Sequence, residues 1–233
     1  LPALAMETLA RSCDARTLIT DDPHLDLQGL RRILAPPDSV LAHRAAIGED
    51  PRESAPGAPW TILLGSGTTG EAKKMAVSHA VELETLVGRA ESFGFSPGEV
   101  FCHFTGYAFV GARRSALAAL HAGATVLIPE GDTRRRIGLV RTEDMSVMSA
   151  PVVMLEGLLE IARQSSGRMF PRLRLLQAGA SVISERLRRA VMARLSPNLR
   201  IYYGTNEFTP ICALQYPCDN PVEGSVGRPG SSG

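Results

Sequence analysis

The sequence of 233 residues lacks an excess of charge of either sign. Its 25 Lys and Arg residues stand against 24 Asp and Glu residues, and the formal net charge at pH 7 is +1. A protein without an overall field does not recruit nucleic acid or an anionic membrane surface through charge alone. The arginine runs at 134–136 and 186–189 are typical of solvated helix faces. We therefore expect no nucleic-acid partner, and any anion site must be built locally.

Three other features are missing. The four cysteines form no CxxC pair and no zinc-like spacing with histidine, so buried and unreactive thiols are expected. No apolar run approaches the roughly 18 residues of a membrane span, and the N-terminus lacks the basic-then-apolar order of a secretion signal. Together these absences predict a cytoplasmic protein without a membrane span.

An initial methionine is absent too. The chain opens at Leu1 and stops in a flexible tail of Gly and Ser, so we expect a piece of something longer. The stretch at 50–59 is rich in Pro, Gly and charge, which is the composition of an exposed connection. We therefore divide the chain into 1–50, the end of a preceding βα subdomain, and 51–233, a second α/β subdomain.

The remaining sequence alternates between strand patterns and helix patterns. Short apolar runs predict the strands, and apolar residues at helical spacing predict the helices between them. The predicted strands cover 17–20, 61–64, 100–104, 124–128, 145–148, 173–177 and 199–203, and the predicted helices cover 4–10, 27–34, 81–93, 108–121, 152–163 and 184–195. This alternation predicts an α/β fold of mostly parallel sheets flanked by helices.

The most informative segment, SGTTGEAK at 66–73, follows the predicted strand at 61–64. Glycines let the backbone approach a ligand closely, hydroxyl groups add hydrogen-bond donors, and Lys73 adds a positive charge. Together they form a candidate phosphate cradle. It differs from the nucleotide loop of common ATPases, because Glu71 and Ala72 separate the last glycine from the lysine. On composition alone, a flexible turn remains the alternative.

The segment SGTTGEAKKMAVSH at 66–79 resembles the SGTTGxPKG phosphate-loop signature of the adenylate-forming superfamily. That family contains acyl-CoA synthetases, luciferases and the adenylation domains of peptide synthetases. Ala72 stands where the family usually has proline, and Lys74 where it usually has glycine. The resemblance implies ATP or AMP contacts from Ser66, Gly67, Thr68, Thr69, Gly70 and Lys73.

A second segment, Tyr203-Gly204-Thr205-Asn206-Glu207, resembles the YGxTE motif of the same family. The resemblance implies that Glu207 helps to hold Mg²⁺ and acts with Lys73 as a catalytic residue. It also implies nucleotide contacts from the four residues before Glu207, with Asn206 in the place of a threonine. A polar turn after a strand remains the alternative.

Two further segments match in the same order. LRLLQAGAS at 173–181 resembles the stretch that the family places against the adenosine, with Ala178 where glycine is more usual. It implies nucleotide contacts from Gly179, Ala180 and Ser181, although a strand-to-helix turn explains the segment about as well. GSVGRP at 224–229 is similar to a stretch that follows in many members, and by itself it is only a turn.

The aromatic segment FCHFTGYAF at 101–109 resembles the part of the family that precedes the acid pocket. Tyr107 and Phe109 are the candidates for lining an apolar acyl or aryl site. The alternative is that these rings only pack, and that His103 is a core or surface histidine rather than a catalyst.

The resemblance implies the large N-terminal domain of an adenylate-forming enzyme, with layered αβαβα architecture and with residues 51–233 as its ATP/AMP-binding subdomain. Its small C-terminal lid domain would be absent from this chain. The implied activity is an acid-thiol ligase that uses ATP, Mg²⁺ and CoA on a small carboxylic acid. Two alternatives stay open: an adenylation domain that loads a carrier protein, and a degenerate, non-catalytic nucleotide-binding module.

Overall fold

The computed structural model describes residues 3–34, 55–65, 73–129, 135–138, 144–164, 166–205, 211–216, 222 and 224–229. The chain forms two compact units, Leu1–His79 and Ala80–Gly233. The boundary that the sequence suggests at residue 50 lies outside the described residues, so the division into 1–50 and 51–233 stays a prediction. Among the helices of the described ranges, none is long and apolar enough to cross a membrane.

The first unit begins with helix α1 (Ala3–Ser12), followed by strands β1 (Thr17–Thr20) and β2 (Arg31–Leu34), which pair in parallel. The helix predicted over 27–34 is therefore wrong. Leucine and isoleucine recur there at helical spacing, but Gly29 takes a left-handed backbone conformation with φ of 80°. Such a residue turns the chain and ends any helix, and the residues after it extend along β1 instead.

The same unit contains an antiparallel pair, β3 (Pro59–Gly65) and β4 (Lys73–Ser78). The register places Gly65 opposite Lys73. Strand β4 is not predicted by the sequence, since its KKMAVS pattern combines two lysines with a short apolar alternation. The side chain of Lys74 donates from Nζ to the Ser12 carbonyl oxygen at 2.9 Å, which ties the start of β4 to the end of α1.

The second unit contains a seven-stranded sheet built from described residues, in the order β11-β10-β9-β8-β7-β5-β6. Its strands are β5 (Val100–His103), β6 (Thr125–Leu127), β7 (Val147–Pro151), β8 (Leu175–Gly179), β9 (Leu199–Tyr203), β10 (Cys212–Gln215) and β11 (Arg228–Pro229). The five strands from β5 to β9 are parallel, and β10 and β11 add an antiparallel edge. The predicted α/β class with mostly parallel strands is therefore confirmed, while β10 and β11 were not predicted.

Within the described ranges, the longer helices that accompany this sheet are α2 (His79–Phe93), α3 (Val110–His121), α4 (Val152–Ala162) and α5 (Glu185–Arg194). Each confirms a predicted helix to within two residues at either end. Successive residues of the strands point to opposite faces of the sheet, so the core has two parts. Met148 and Leu176 pack with α4 and α5 on one face, while their neighbours Val147 and Leu175 pack with α2 and α3 on the other.

Candidate nucleotide site

Ligands of open α/β sheets bind at the carboxyl ends of the parallel strands, where successive loops diverge. Strand β8 ends at Gly179, which directly follows the last registered pair of β8 and β9, Ala178 with Ile201. A Cβ atom added to Gly179 would overlap the ring carbons of Tyr202. Glycine is therefore required here, because the tyrosine ring packs directly against the backbone where β8 ends.

The turn after β8 is formed by Ala180, which has a left-handed backbone with φ of 70°. This conformation costs an alanine about 1–2 kcal/mol relative to the right-handed regions, so the surrounding packing must impose it. The chain then enters α5, whose first turn is capped by Ser184. The Ser184 hydroxyl accepts a hydrogen bond from the Leu187 amide at 3.2 Å.

A cavity of about 710 Å³ opens between this turn and the residues that follow β9. Four of the predicted nucleotide-contact residues line it: Ala180 and Ser181 after β8, and Tyr203 and Gly204 at the end of β9. Its volume lies within the range of about 300–1,000 Å³ that is typical of small-molecule sites. The structure thus brings residues from two separate motifs to one concave site.

Sequence reasoning missed part of the cavity wall. Arg188 of α5 lies over the ring of Tyr216, with its guanidinium carbon 4.6 Å from the ring centroid, and both residues line the cavity. Arg188 also pairs with Glu185, and the hydrogen bonds from Arg188 and Arg189 lower the pKa of Glu185 to about 2. The arginine run at 186–189 does not reveal this role, because solvated helices carry the same pattern.

The GSVGRP segment also reaches the cavity, where Gly224, Ser225 and Val226 form part of the wall. It is held there by β11, which pairs with β10. Gly227 has φ of 99°, and an added Cβ would overlap the backbone carbonyl of Ala213. Gly227 is therefore needed for two reasons: it adopts the positive φ of the turn, and it allows β11 to approach β10 closely.

Several predicted site residues lie elsewhere or outside the described ranges. Lys73 is exposed at the start of β4 in the first unit. Gly179 and Thr205 adjoin lining residues in the chain without being among the described residues of the cavity wall. The loop residues Ser66, Gly67, Thr68, Thr69 and Gly70, together with Asn206 and Glu207, are outside the described residues. The roles assigned to all of these residues stay predictions.

The two candidates for the acid pocket are not among the residues that line this cavity. The Tyr107 hydroxyl donates to the Leu127 carbonyl oxygen at 3.4 Å, and burial raises the pKa of Tyr107 to about 12. Phe109 directly precedes α3 and is 66% exposed. An acid pocket beside these residues remains a prediction.

His103 lies at the carboxyl end of β5 and is 8% exposed. Its Nδ1 accepts a hydrogen bond from the Thr105 amide at 3.2 Å. In this arrangement Nδ1 carries no proton, as in a neutral imidazole. Burial, and secondly the charge of Arg89, lower the pKa of His103 to about 4. The histidine is therefore an uncharged group near neutral pH.

The architecture and cavity define an open α/β protein with a candidate ligand site at the carboxyl edge of its sheet. The family model described as AMP-binding enzyme matches residues 1–232, and the chain belongs to this family. Within the described residues, no group of three His, Cys, Asp or Glu side chains could hold a metal ion.

Curated relatives agree with this assignment, and a solved structure shares the fold. Indoleacetate–CoA ligase of Aromatoleum aromaticum is 28% identical over 204 residues, which are 83% of this chain and 39% of that ligase. Nonribosomal peptide synthetase SIDD of Beauveria bassiana is 25% identical over 221 residues, 91% of this chain and 11% of the synthetase. The solved O-succinylbenzoate coenzyme A synthetase of Bacillus subtilis matches with a TM-score of 0.82 at 18% identity, covering 100% of this chain and 48% of that one. The chain thus spans less than half the length of these relatives.

Proposed function

We propose that this chain is the nucleotide-binding part of an enzyme that activates a carboxylic acid with ATP and passes the acyl group to CoA. The observation that carries the proposal is the cavity at the carboxyl ends of β8 and β9, in a chain of the AMP-binding enzyme family. The cavity wall includes four residues for which two separate sequence motifs predict nucleotide contacts: Ala180, Ser181, Tyr203 and Gly204.

The chemistry divides into two displacements. A carboxylate oxygen of the acid attacks the α-phosphorus of ATP, and pyrophosphate leaves with the electron pair of the broken P–O bond. The thiol sulfur then attacks the acyl carbon, its proton is lost, and AMP leaves. Neither step needs a nucleophile from the protein, whose task is to align the reactants and stabilise charge on the phosphate oxygens.

The residues proposed for this task have suitable chemistry. The Ser181 hydroxyl and the backbone of Ala180 and Gly204 offer neutral polar contacts in the cavity wall. We assign the contact of a cationic group with the phosphates to Lys73. Mg²⁺ prefers oxygen ligands and is usually held by one or two carboxylates together with substrate phosphates, so Glu207 is a sufficient protein ligand. When bound, the ion would offset negative charge on the phosphate groups.

The acceptor of the acyl group has two candidates. The similarity to indoleacetate–CoA ligase favours CoA, whereas the similarity to a nonribosomal peptide synthetase favours a carrier protein. We propose CoA as the acceptor, because the CoA ligase has the higher identity of the two relatives. Thioester formation measured with CoA and, separately, with a phosphopantetheinylated carrier domain distinguishes them, and loading of the carrier alone would contradict the choice of CoA.

Binding of the nucleotide is the direct test, because the chain spans only part of its relatives. Titration calorimetry of the 233-residue chain with ATP and Mg²⁺ is expected to show one site. Loss of a charge-assisted contact in Lys73→Ala should weaken binding about 10- to 100-fold. The neighbouring Lys74→Ala is the matched control and should stay within about twofold, because Lys74 contacts the Ser12 carbonyl. Absence of binding by the unmodified chain would contradict the proposal and favour a degenerate module.

The acid remains to be identified by activity. A panel of aliphatic, aryl and amino acids is offered with ATP, Mg²⁺ and CoA, and pyrophosphate release is followed. An acid-dependent signal would support acyl-adenylate formation. Binding of ATP without pyrophosphate release for any acid, in a protein that carries a lid domain after this chain, would favour the non-catalytic reading.

A further inference from the structure

One side of helix α5 contributes charged side chains to the wall of the candidate nucleotide cavity. Glu185, Arg188 and Arg189 all line this cavity. They lie three and four residues apart, a spacing that brings side chains together on a helix. Arg188 is the most enclosed of the three, with a side chain that is 14% exposed, against 38% for Glu185 and 75% for Arg189. Arg188 is therefore held within the wall, whereas the side chain of Arg189 is largely in solvent.

The described hydrogen bonds of Arg188 lie at the edge of its guanidinium plane. Its Nε donates to Glu185 Oε2 at 2.6 Å, and its Nη2 donates to the other oxygen, Oε1. Its Nη1 contacts the Met192 sulfur at 3.4 Å. The fork of a guanidinium matches a carboxylate in this two-point geometry, so the plane of Arg188 has a defined orientation. The carboxylate also offsets the positive charge of Arg188.

Tyr216 covers one face of this plane. The guanidinium carbon lies 4.6 Å from the centroid of the tyrosine ring, within the distance of a cation–π contact, and Tyr216 is buried. The backbone of Tyr216 is anchored in turn, because its amide donates to the Leu199 carbonyl oxygen of β9 at 2.6 Å. The plane of Arg188 is thus fixed at its edge by Glu185 and on one face by Tyr216. Its opposite face is turned away from the ring.

We propose that this opposite face of the Arg188 guanidinium is a stacking surface for the base of the nucleotide, which makes Arg188 a specificity-determining residue of the cavity. The inference rests on the proposed function. ATP offers phosphates, which need uncompensated positive charge, ribose hydroxyls, which need hydrogen-bond partners, and a flat base. Because Glu185 engages the charge and the edge of Arg188, the base is the part of ATP that Arg188 matches. Nucleobases stack on guanidinium planes as they do on aromatic rings.

Binding measurements with two ligands separate the base from the phosphates. Titration calorimetry is performed with ATP and with inorganic tripolyphosphate, each in the presence of Mg²⁺. Arg188→Lys keeps the positive charge and removes the plane. It should weaken ATP binding about 5- to 50-fold and leave the affinity for tripolyphosphate within about twofold. Equal losses for both ligands, or no loss for either, would overturn the inference.

Arg189→Lys is the matched control. Arg189 also lines the cavity and also pairs with Glu185, its Nε lying 2.6 Å from Oε1, but the ring of Tyr216 lies against Arg188. Arg189→Lys should therefore keep the affinity for ATP within about twofold. A loss as large as that of Arg188→Lys would show that any change of charge pairing at Glu185 weakens the site, and it would contradict a stacking role. Absence of ATP binding by the unmodified chain would instead contradict the proposed function itself.

Nuclear magnetic resonance of the unmodified chain tests the contact without a substitution. In a chain labelled with carbon and nitrogen isotopes, the Nε–H signal of Arg188 is assigned through its bonds to the backbone. A base stacked on the guanidinium should shift this proton upfield through its ring current when ATP binds, whereas tripolyphosphate should not. An unshifted Arg188 signal in the ATP-saturated chain, or an equal shift with tripolyphosphate, would overturn the inference.

Discussion

The two faces of the seven-stranded sheet are stabilised by different physical means. The face under α4 and α5 is apolar, with Leu155, Leu158 and Val191 packed against leucine and methionine side chains of the strands. The face under α2 and α3 combines an aromatic cluster with a buried ion pair between Glu82 and Arg114. Apolar packing is non-directional, whereas a buried ion pair stabilises only while both partners are in place.

This difference predicts how each face responds to substitution. A deletion on the apolar face leaves a void, and the cost follows the volume removed. A deletion on the ionic face leaves a buried charge, and a second substitution that removes that charge restores part of the loss. Double substitutions therefore distinguish the two faces more sharply than single ones.

The largest effect is expected at the buried ion pair. Glu82→Leu should lower the free energy of unfolding by about 3–5 kcal/mol, because it removes the carboxylate that pairs with the buried guanidinium of Arg114. Urea denaturation measures the change, and the double variant Glu82→Leu with Arg114→Met should lose clearly less than Glu82→Leu alone. A double variant that loses the sum of both single effects would show that the two faces do not differ in this way. Arg172→Met, at an exposed ion pair, should change stability by less than about 1 kcal/mol.

A somewhat smaller effect is expected on the apolar face. Leu158→Ala removes a fully buried side chain of α4 and should cost about 3 kcal/mol. The control is Val153→Ala on the same helix, where the side chain is 72% exposed and the cost should stay within about 0.5 kcal/mol. Both are measured by urea denaturation, and similar losses at the two positions would contradict the packing described for this face.

The smallest effect is a pH dependence of the ionic face. The pKa of His103 is lowered from 6.5 to about 4, so at acid pH the unfolded chain binds a proton that the folded chain excludes. Its contribution to stability is complete above pH 6.5 and is lost as the pH falls from 6.5 to about 4, so the effect is confined to acid conditions. His103→Gln should flatten this slope, measured by urea denaturation at several pH values. The exposed control His121→Gln should keep the slope of the unmodified chain, and an unchanged slope in His103→Gln would contradict the prediction.

The helices on both faces were predictable from the sequence, whereas the ion pair between Glu82 and Arg114 on the ionic face was not. Strand β9 and helices α4 and α5 follow from apolar runs and helical spacing, because these elements bury hydrophobic side chains. Glu82 and Arg114 lie on helices, where charged residues usually face water, and nothing in their spacing shows that they meet. Strand β4 was missed because its lysines mask the alternation, and β2 was mistaken for a helix because Gly29 turns the chain.

The candidate site was predictable where short motifs determine the backbone. Ala180, Ser181, Tyr203 and Gly204 follow from two segments at strand ends, and the structure brings them to one cavity. The contribution of Arg188 and Tyr216 was not predictable, since their stacking joins α5 to a residue that follows β10. Contacts between residues distant in sequence leave no pattern in a single chain.

The packing of Tyr202 against Gly179 limits the order in which these two positions can change during evolution. A side chain at position 179 is admissible only after residue 202 has become smaller, because the added Cβ would overlap the ring. Variants of this lineage should therefore shrink residue 202 first and enlarge residue 179 afterwards, with the reverse order passing through a clash. Because Tyr202 lines the candidate nucleotide cavity, the first of these steps would deepen that cavity before the second fills it again.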